Sequence, residues 1–342
     1  MRYKLLGKSG LRVSELALGT MTFGEDWGWG ASKEESLLQF NSFREAGGNF
    51  IDTAVNYTNG TSETFVGEFI QDNRDQYVVA TKYSLSRNWD DPNAGGNARK
   101  NMVVSLETSL KRLRSEYIDL YYLHMWDGMT PIEEVMRALD DMVRAGKILY
   151  IGISDSPAWL VSRANMLAEL RGWSQFVSLQ VPYALNWRDV ERDLLPMARI
   201  LDLAVTVWGI LDGGILTGKY NNENQEDKRF NDVKISEIDA KIVQVVQKVA
   251  IECGKSSAQV AANYIRQQQH KAQIIPVLGA RSNQHLLDNL AILDWELTPE
   301  QLKQLEDATQ FKLGFPHGFL DENKYIFGNT YNLIDNHHRY WK

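Results

Sequence analysis

The sequence has little cysteine and no long apolar run. Cys253 is the only cysteine among 342 residues, so no internal disulfide can form, as is usual for proteins of a reducing cytoplasm. No apolar stretch is long enough to span a bilayer. The first residues, MRYKLLGKSGLRVSELALG, interrupt their apolar stretches with charges and glycines, unlike a signal peptide. These absences predict a cytoplasmic protein without a membrane partner.

An excess of positive charge is also missing, because the formal net charge is −7. This balance argues against a general nucleic-acid binder, although it leaves room for a local basic pocket that binds one phosphate. The sequence has no H-E-x-x-H or paired-cysteine motif, and its six histidines lack the spacing of metal ligands. We therefore expect no nucleic-acid partner and no metal.

The common nucleotide-binding motifs are absent as well. No G-x-G-x-x-G follows a strand-like run, so a Rossmann dinucleotide site is not supported. The segment Cys253-Gly254-Lys255-Ser256 matches the end of a P-loop, but Val249 stands where that motif requires glycine. A nucleotide would therefore have to bind in the loops of another kind of fold.

Strand-like and helix-like patterns alternate along the chain. Strands are predicted at 15–20, 49–53, 77–82, 118–124, 149–154, 176–180, 204–208 and 274–277. Amphipathic helices are predicted near 33–46, 63–71, 98–113, 131–145, 157–170, 189–201, 235–268 (as a pair) and 283–293. This alternation predicts an α/β protein with a closed (β/α)8 TIM barrel, and an open doubly wound sheet is the competing architecture.

Two segments lie outside the alternating pattern. The N-terminal YKLLGKSGLRVSELALG contains a Gly-Lys-Ser-Gly turn and predicts a hairpin that could cap the bottom of the barrel. The tail at 311–342 is aromatic and rich in histidine, and it is either a surface segment packed on the barrel wall or a lid on the substrate pocket. Without a linker or repeat, we expect one domain over 1–342, with the barrel at about 15–310.

Four polar residues lie at or just past the ends of predicted strands: Asp52, Tyr57, Lys82 and His124. A (β/α)8 barrel builds its active site from such strand ends. A tyrosine near a lysine and a histidine is a proton donor, and we expect the cation to lower the pKa of Tyr57 below about 10. Each residue alone could be structural, as a helix cap, a loop aromatic, a surface strand end or a core histidine. Their shared position favours a common active site.

Two loops late in the chain have the features of anion sites. The segment IPVLGARSNQHLLDN places Arg281 before a predicted helix start, where free N–H groups and a guanidinium can bind an anion. The segment WGILDGGILTGKY adds Gly213, Gly214, Gly218 and Lys219 after the seventh predicted strand. Either could be an ordinary turn, but adjoining phosphate-binding loops at this part of a barrel favour a dinucleotide.

Four tryptophans fall in loops at the same predicted end of the barrel: Trp27, Trp29, Trp89 and Trp126. Loop tryptophans can serve packing alone. Four at one rim favour the apolar or aromatic wall of a substrate pocket.

With these residues the chain resembles the aldo-keto reductase family, from the N-terminal hairpin to Leu293. The matching segments, in chain order, are FIDTAVNYTNGTSETFVGE, VVATKY, IDLYYLHMWD, YIGISD, the strand end at Gln180, ILTGKY and IPVLGARSNQHLLDNL. The set is most similar to the branch that holds bacterial oxidoreductases, aryl-alcohol dehydrogenases and potassium-channel β subunits.

The resemblance implies a role for each strand-end residue. Tyr57 resembles the general acid that protonates a carbonyl oxygen as hydride arrives from a nicotinamide. Lys82 resembles the ammonium beside it, Asp52 would keep that lysine charged and in place, and His124 would orient the carbonyl or relay the proton.

The resemblance also implies NADP(H) as cofactor. Ser154 and Gln180 would hold the nicotinamide carboxamide, Trp208 would stack on the ring, and Arg281 would bind the 2′-phosphate. Asp288 and Asn289 resemble adenine contacts, with Gln284 or His285 helping at the phosphate. The remaining implied cofactor contacts are Thr20, Met21, Asp52, Asp155, Gly209, Ile210, Leu211, Gly214, Lys219 and Gly279.

The chain departs from the usual family pattern at three places. Asp155 stands where Asn is common, and an ionised carboxylate can only accept hydrogen bonds. Trp208 replaces the more usual tyrosine. Gly209-Ile210 replaces a common Ser-Pro, which alters the loop expected to contact the pyrophosphate.

These features together predict NADPH-dependent reduction of aldehydes, and some ketones, to alcohols. The main rival is an NADP(H)-binding regulatory subunit of the channel type that turns over slowly and keeps the same four residues. A barrel hydrolase that uses Asp52 and a second carboxylate is a weaker alternative, because no other strand-end carboxylate has a clear role. The oligomeric state stays open.

Overall fold

The computed structural model describes residues 1–221, 235–320 and 322–335. Eight parallel strands form a closed barrel in which the last strand pairs with the first. The strands are β3 (Ala17–Gly19), β4 (Phe50–Asp52), β5 (Val78–Tyr83), β6 (Ile118–Leu123), β7 (Ile148–Ser154), β8 (Phe176–Pro182), β9 (Ala204–Trp208) and β10 (Gln273–Gly279). The predicted TIM barrel is confirmed, and each predicted strand overlaps an observed one.

Helices connect the strands and cover the outside of the barrel. They are α1 (Lys33–Glu45), α2 (Thr61–Ile70), α3 (Arg99–Leu113), α4 (Ile132–Arg144), α5 (Ala158–Arg171), α6 (Leu194–Ile200), α7 (Glu237–Cys253), α8 (Ser257–Arg266) and α9 (Asn283–Leu290), followed by α10 (Pro299–Thr309). No helix in the described ranges is both long and apolar enough to cross a membrane.

The helices differ from expectation in two places. The helix predicted at 189–201 begins only at Leu194, because Pro196 fits the first turn of a helix and not its interior. Helix α10 was not predicted, although its start carries a capping box. The Thr298 side chain accepts from the Gln301 backbone N–H, and the Gln301 side chain accepts in return from the Thr298 N–H.

The predicted N-terminal hairpin closes the bottom of the barrel. Its strands β1 (Tyr3–Leu5) and β2 (Arg12–Ser14) pair antiparallel, and Leu6 and Val13 are buried in a cluster with residues from the barrel strands. At the hairpin turn, the Gly7 N–H donates to Gln273 Oε1 at 2.9 Å. The hairpin is therefore packed into the barrel as its floor.

The tail starts beside the loop that follows β8. The Phe311 ring centroid lies 4.8 Å from the guanidinium carbons of both Arg188 and Arg192, and His317 Nε2 is 2.7 Å from the Arg192 carbonyl oxygen. The short helices α11 (His317–Leu320) and α12 (Asn323–Phe327) follow. Residue 321 and residues 336–342 of the tail lie outside the described residues, and the tail as a lid on the substrate pocket stays a prediction.

Gly7 should be indispensable for seating the hairpin. Its φ is +54°, and an added Cβ would lie 2.5 Å from the Val177 carbonyl oxygen. Since this neighbour is backbone and cannot rotate away, we expect Gly7→Ala to lower the free energy of unfolding by about 2 kcal/mol or more. Urea unfolding of the purified protein measures this loss.

Gly10→Ala is the matched control, because a Cβ at Gly10 meets nothing within 4 Å. Its free energy of unfolding should stay within about 0.5 kcal/mol of wild type. Equal unfolding midpoints for the two variants would show that the hairpin floor is not tightly packed.

Candidate active site

Neighbouring strands bring the four strand-end residues together at the carboxyl end of the barrel. Asp52 ends β4, Lys82 lies near the end of β5, and His124 directly follows β6. Lys82 Nζ lies 2.7 Å from Asp52 Oδ2 and 3.2 Å from the Tyr57 hydroxyl. The rings of Tyr57 and His124 meet edge to face, with centroids 5.9 Å apart. The structure thus assembles one polar cluster from residues dispersed in the sequence.

Lys82 is a fully buried cation with all its donors in use. Its side chain is 0% exposed, and its third bond goes to the Thr53 carbonyl oxygen at 2.7 Å. An ammonium has three donors, so Asp52, Thr53 and Tyr57 account for all of them. Burial acts to lower the pKa of Lys82, but the charges and hydrogen bonds of Asp52 and Tyr57 together outweigh burial and raise it. Lys82 is therefore positively charged at neutral pH.

Asp52 is fixed through both carboxylate oxygens. Gln180 Nε2 donates to Asp52 Oδ1 at 2.8 Å and to Thr206 Oγ1 at 3.3 Å. The amide NH2 of Gln180 thus orients Asp52, which the sequence did not predict, and a contact of Gln180 with a carboxamide stays a prediction. The Thr20 hydroxyl is also in use, bonded to the Asp52 carbonyl oxygen and to Ser62.

The expected lowering of the Tyr57 pKa is wrong. Burial of the phenol raises its pKa, and the attraction of the Lys82 charge offsets this only in part. Burial has a larger effect on the Tyr57 pKa than the Lys82 charge, because the loss of water destabilises the phenolate form. At neutral pH Tyr57 consequently holds its proton, which is the form that a proton donor requires.

His124 is uncharged in this site. Burial, and then the nearby charge of Lys82, hold its pKa well below the usual value of a histidine. In the described part of the chain its Nδ1 is buried and has no hydrogen-bond partner. A neutral imidazole can donate from one ring nitrogen and accept at the other, so His124 can contact a polar ligand without adding charge.

Ser154, Asp155 and Trp208 lie at the ends of β7 and β9. The Ser154 hydroxyl is buried and lies beside the Asp155 carboxylate. Burial raises the pKa of Asp155 to about 6, although the Trp208 indole N–H and the Lys82 charge act against it. The Trp208 ring packs edge to face on Trp187 at 5.7 Å.

The loop after β9 is shaped by residues with left-handed backbone. Gly209, Gly213, Gly214 and Gly218 all have positive φ, and a Cβ at Gly214 would lie 2.4 Å from Lys219 Cε. The Lys219 side chain therefore lies directly over a bare stretch of backbone, an arrangement suited to an anionic group. Ile210 is buried and Leu211 is half-buried, so any polar contact from these two residues must come from their backbone.

The start of α9 differs from the expected free helix end. Ser282 caps it by accepting from the His285 backbone N–H, while the Asn283 backbone N–H donates to the Glu35 carboxylate of α1. A negative side chain thus already lies at the helix end beside Arg281. Gly279, Gln284 and His285 are exposed along the adjoining surface.

Asp288 also has an unexpected structural partner. Its two oxygens accept from Ser256 Oγ at 2.8 Å and from Gln259 Nε2 at 2.7 Å, which ties α9 to the first turn of α8. Asn289 is buried beside it. Contacts of these residues with an adenine stay a prediction, and Asp288 would make its contact with oxygens that are already hydrogen-bonded.

The structure groups only some of the predicted rim tryptophans. Trp27 and Trp29 pack with ring centroids 5.6 Å apart, and Trp27 Nε1 lies 3.3 Å from Asn59 Oδ1 in the Tyr57 turn. Trp126 packs against the core, whereas Trp89 is 92% exposed. Trp187, which was not predicted, joins Trp208 instead, although its position in a loop after a predicted strand was an available signal.

A search against protein families matches residues 15–310 to the aldo/keto reductase family. The chain belongs to this family of oxidoreductases.

Individual relatives align along most of the chain. It is 38% identical to the aryl-alcohol dehydrogenase [NADP(+)] of Phanerodontia chrysosporium, an alignment that covers 95% of this chain and 89% of the relative. It is 39% identical to the norsolorinic acid reductase stcV of Emericella nidulans, over 92% of this chain and 83% of the relative. A norsolorinic acid reductase of Aspergillus flavus is 37% identical, over 93% and 83% respectively.

Asp155 should make stability depend on pH. Its pKa in the folded protein, about 6, lies above the ordinary 3.8, so the fold favours the protonated form and loses stability as the pH rises through this window. Asp155→Asn should therefore raise the free energy of unfolding by about 1–2 kcal/mol at pH 8, and by less at pH 5. Urea unfolding at both pH values measures the difference. Asn also tolerates the positive φ of this position.

Asp127→Asn is a control for which the free energy of unfolding should change in the opposite direction. Although burial opposes it, hydrogen bonds from the Thr130 and Asn97 backbone N–H groups lower the pKa of Asp127. Asp127→Asn should consequently destabilise the protein at both pH values. A stability gain from Asp155→Asn that is equal at pH 5 and pH 8 would contradict the assigned titration.

Proposed function

We propose that this protein reduces aldehydes, and some ketones, to alcohols with NADPH. The observation that carries the proposal is the 3.2 Å contact between Lys82 Nζ and the Tyr57 hydroxyl, made by a fully buried ammonium. A protonated phenol beside a fixed cation is suited to giving up a proton, because the cation stabilises the phenolate that forms.

Bound NADPH would supply the hydride. Tyr57 would donate its proton to the substrate carbonyl oxygen as negative charge develops there. Lys82 would stabilise the resulting phenolate, and Asp52 would hold Lys82 in place through their 2.7 Å contact. His124, being neutral, would hydrogen-bond to the carbonyl oxygen and orient it without competing as a charged acid.

Several residues fit NADP(H) as the cofactor. The buried Ser154 hydroxyl lies beside Asp155 and can bind a carboxamide, while Asp155 can accept from the carboxamide NH2. Lys219 lies over the Gly214 backbone and can bind a phosphate there, and the Arg281 guanidinium can pair with a phosphate beside the capped start of α9. One relative also carries NADP(+) in its name.

Aromatic carbonyl compounds are the substrate class that we favour. The Trp27–Trp29 pair contacts the turn that carries Tyr57, and the Trp187–Trp208 pair lies at the end of β9. Flat aromatic side chains form walls that stack on aromatic ligands. The names of the aligned relatives refer to aryl alcohols and norsolorinic acid, which supports the same class.

Tyr57→Phe tests the proposal because it removes only the hydroxyl. We expect wild type to oxidise NADPH in the presence of aromatic aldehydes, and the variant to turn over roughly 10²-fold more slowly or worse. NADPH affinity, titrated by tryptophan fluorescence, should stay close to wild type. Tyr117→Phe is the control, since its hydroxyl contacts Asp75 far from the site, and its turnover should not change.

Each other outcome has a definite meaning. Substantial turnover in Tyr57→Phe would leave His124 as the candidate proton donor. Loss of NADPH binding would make Tyr57 a structural residue. Tight NADPH binding by wild type without steady turnover on any aldehyde would favour the regulatory subunit instead.

Arg281 should set the preference for NADPH over NADH. A charge-assisted contact with the 2′-phosphate is worth about 1.5–3 kcal/mol, or roughly ten- to a hundredfold in affinity. Arg281→Ala should therefore weaken NADPH binding by that factor and change NADH binding little, as measured by the same titration. Equal weakening of both cofactors would place the phosphate elsewhere.

Glu35→Gln should strengthen NADPH binding, whereas Arg281→Ala should weaken it. It removes a negative charge from the α9 helix end, where the Glu35 carboxylate accepts from Asn283. NADPH should then bind more tightly than to wild type, because a carboxylate repels a phosphate at the same helix end.

A further inference from the structure

The turn that carries Tyr57 has a backbone conformation that its residues do not favour. Thr58, Asn59 and Gly60 follow Tyr57 with φ values of +43°, +54° and +99°. Positive φ is unusual for any residue except glycine, and most costly for a β-branched one such as threonine. This turn therefore needs support from outside itself to hold the Tyr57 hydroxyl in position.

Arg112, in the last turn of α3, supplies the charged part of that support, and the Thr58 hydroxyl adds to it by donating to the Phe23 carbonyl oxygen at 2.6 Å. Its Nη1 donates to the Val55 carbonyl oxygen at 2.7 Å, and its Nη2 lies 3.5 Å from the Asn59 carbonyl oxygen. One guanidinium therefore contacts the backbone on both sides of Tyr57. A Cβ at Gly60 would lie 2.1 Å from Arg112 Cζ, so the guanidinium packs flat against the turn.

Glu63 connects Arg112 to the strand that carries Lys82. Its Oε2 accepts from Arg112 Nη1 at 3.1 Å, and its Oε1 accepts from Thr81 Oγ1 at 2.7 Å. Glu63 is fully buried, and burial raises its pKa although hydrogen bonds from Ser109 and Thr81 and the charge of Arg112 act against it. The bonds to Arg112 and Thr81 therefore offset part of the cost of burying this carboxylate. Thr81 immediately precedes Lys82 on β5. The chain Arg112–Glu63–Thr81 therefore joins the Tyr57 turn to the Lys82 strand.

We propose that Arg112, held by Glu63, is a positioning residue that keeps the Tyr57 hydroxyl within reach of Lys82 and of the substrate. Arg112 touches neither reacting atom and acts only through the turn. The inference rests on the proposed role of Tyr57 as proton donor. A shift of about 1 Å in a reacting group can cost about 10²-fold in rate, so loss of this support should be visible in turnover.

The primary test is Arg112→Ala in the full-length protein, with turnover of an aromatic aldehyde measured at saturating NADPH. We expect kcat to fall by roughly 30- to 100-fold, while NADPH affinity stays within about threefold. NADPH affinity should be preserved because the cofactor is expected at the loops after β9 and β10, and the contacts described for Arg112 do not involve these loops. Added methylguanidinium should restore part of the turnover, because it can replace the lost donors, and a merely unfolded protein would not respond.

Arg114→Ala is the matched control. Arg114 directly follows α3, and its guanidinium bonds to Gln71 and Glu68 on the surface. Its replacement should leave kcat unchanged and methylguanidinium without effect. Arg112→Lys covers the case in which the alanine variant does not fold. A single ammonium can pair with Glu63 but cannot hold both carbonyls, so kcat should still fall, by less than in the alanine variant.

A second readout does not depend on turnover. Amide hydrogen exchange of residues 54–60, followed by mass spectrometry, should accelerate in Arg112→Ala and not in Arg114→Ala. In a Tyr57→Phe background, Arg112→Ala should cost no further turnover, since both changes act through one hydroxyl.

Failure of the proposed function and failure of this inference give different results. An inactive wild type would overturn the reductase proposal, and exchange of the turn would still decide whether Arg112 supports it. An active wild type together with an Arg112→Ala variant within about threefold of its kcat, or with unchanged exchange at 54–60, would overturn the positioning role.

Discussion

The buried charge of Lys82 is the constraint on which the rest of the site depends. An unpaired ammonium inside a protein costs several kcal/mol, and this one is fully buried. Its three bonds end on Asp52, Thr53 and Tyr57, and Gln180 fixes the second oxygen of Asp52. These residues come from β4, β5, β8 and the turn after β4. The hydrogen bonds that pair the Lys82 ammonium and orient Asp52 therefore hold three strands and one turn together at the carboxyl end of the barrel.

The electrostatic balance of the site follows from that pairing. Lys82 and Asp52 cancel, burial keeps Tyr57 protonated, and His124 is neutral. Asp155, with a pKa of about 6, is the group whose charge changes near neutral pH. Its ionisation adds negative charge to a site that must stabilise a phenolate, whereas its protonated form does not. With that pKa Asp155 is mostly ionised at pH 7 and mostly protonated at pH 5, so it opposes the chemistry proposed for Tyr57 less as the pH falls.

Much of the fold could be predicted because its signals are local. Strand periodicity, helix caps and glycine turns identified all eight barrel strands and the hairpin floor. The four strand-end residues followed, since parallel strands in a barrel place their carboxyl ends together. Helix α10 was missed although Thr298 and Gln301 carried its signal. The late start of α6 was readable from Pro196. Both signals are local, so the sequence alone carries them.

The remaining features could not be predicted, because they depend on which distant groups meet. Nothing near Asp288 indicates that Gln259 will engage it, and nothing near Asn283 points to Glu35, which lies 248 residues away. The pKa of Tyr57 depends on how completely the closed barrel removes water, which spacing does not encode. The same is true of Arg112, which resembles any arginine at the end of an amphipathic helix. Only the fold shows that the turn beside Arg112 contains three residues with left-handed backbone. The same fold places the buried carboxylate of Glu63 where it can hold the Arg112 guanidinium against that turn.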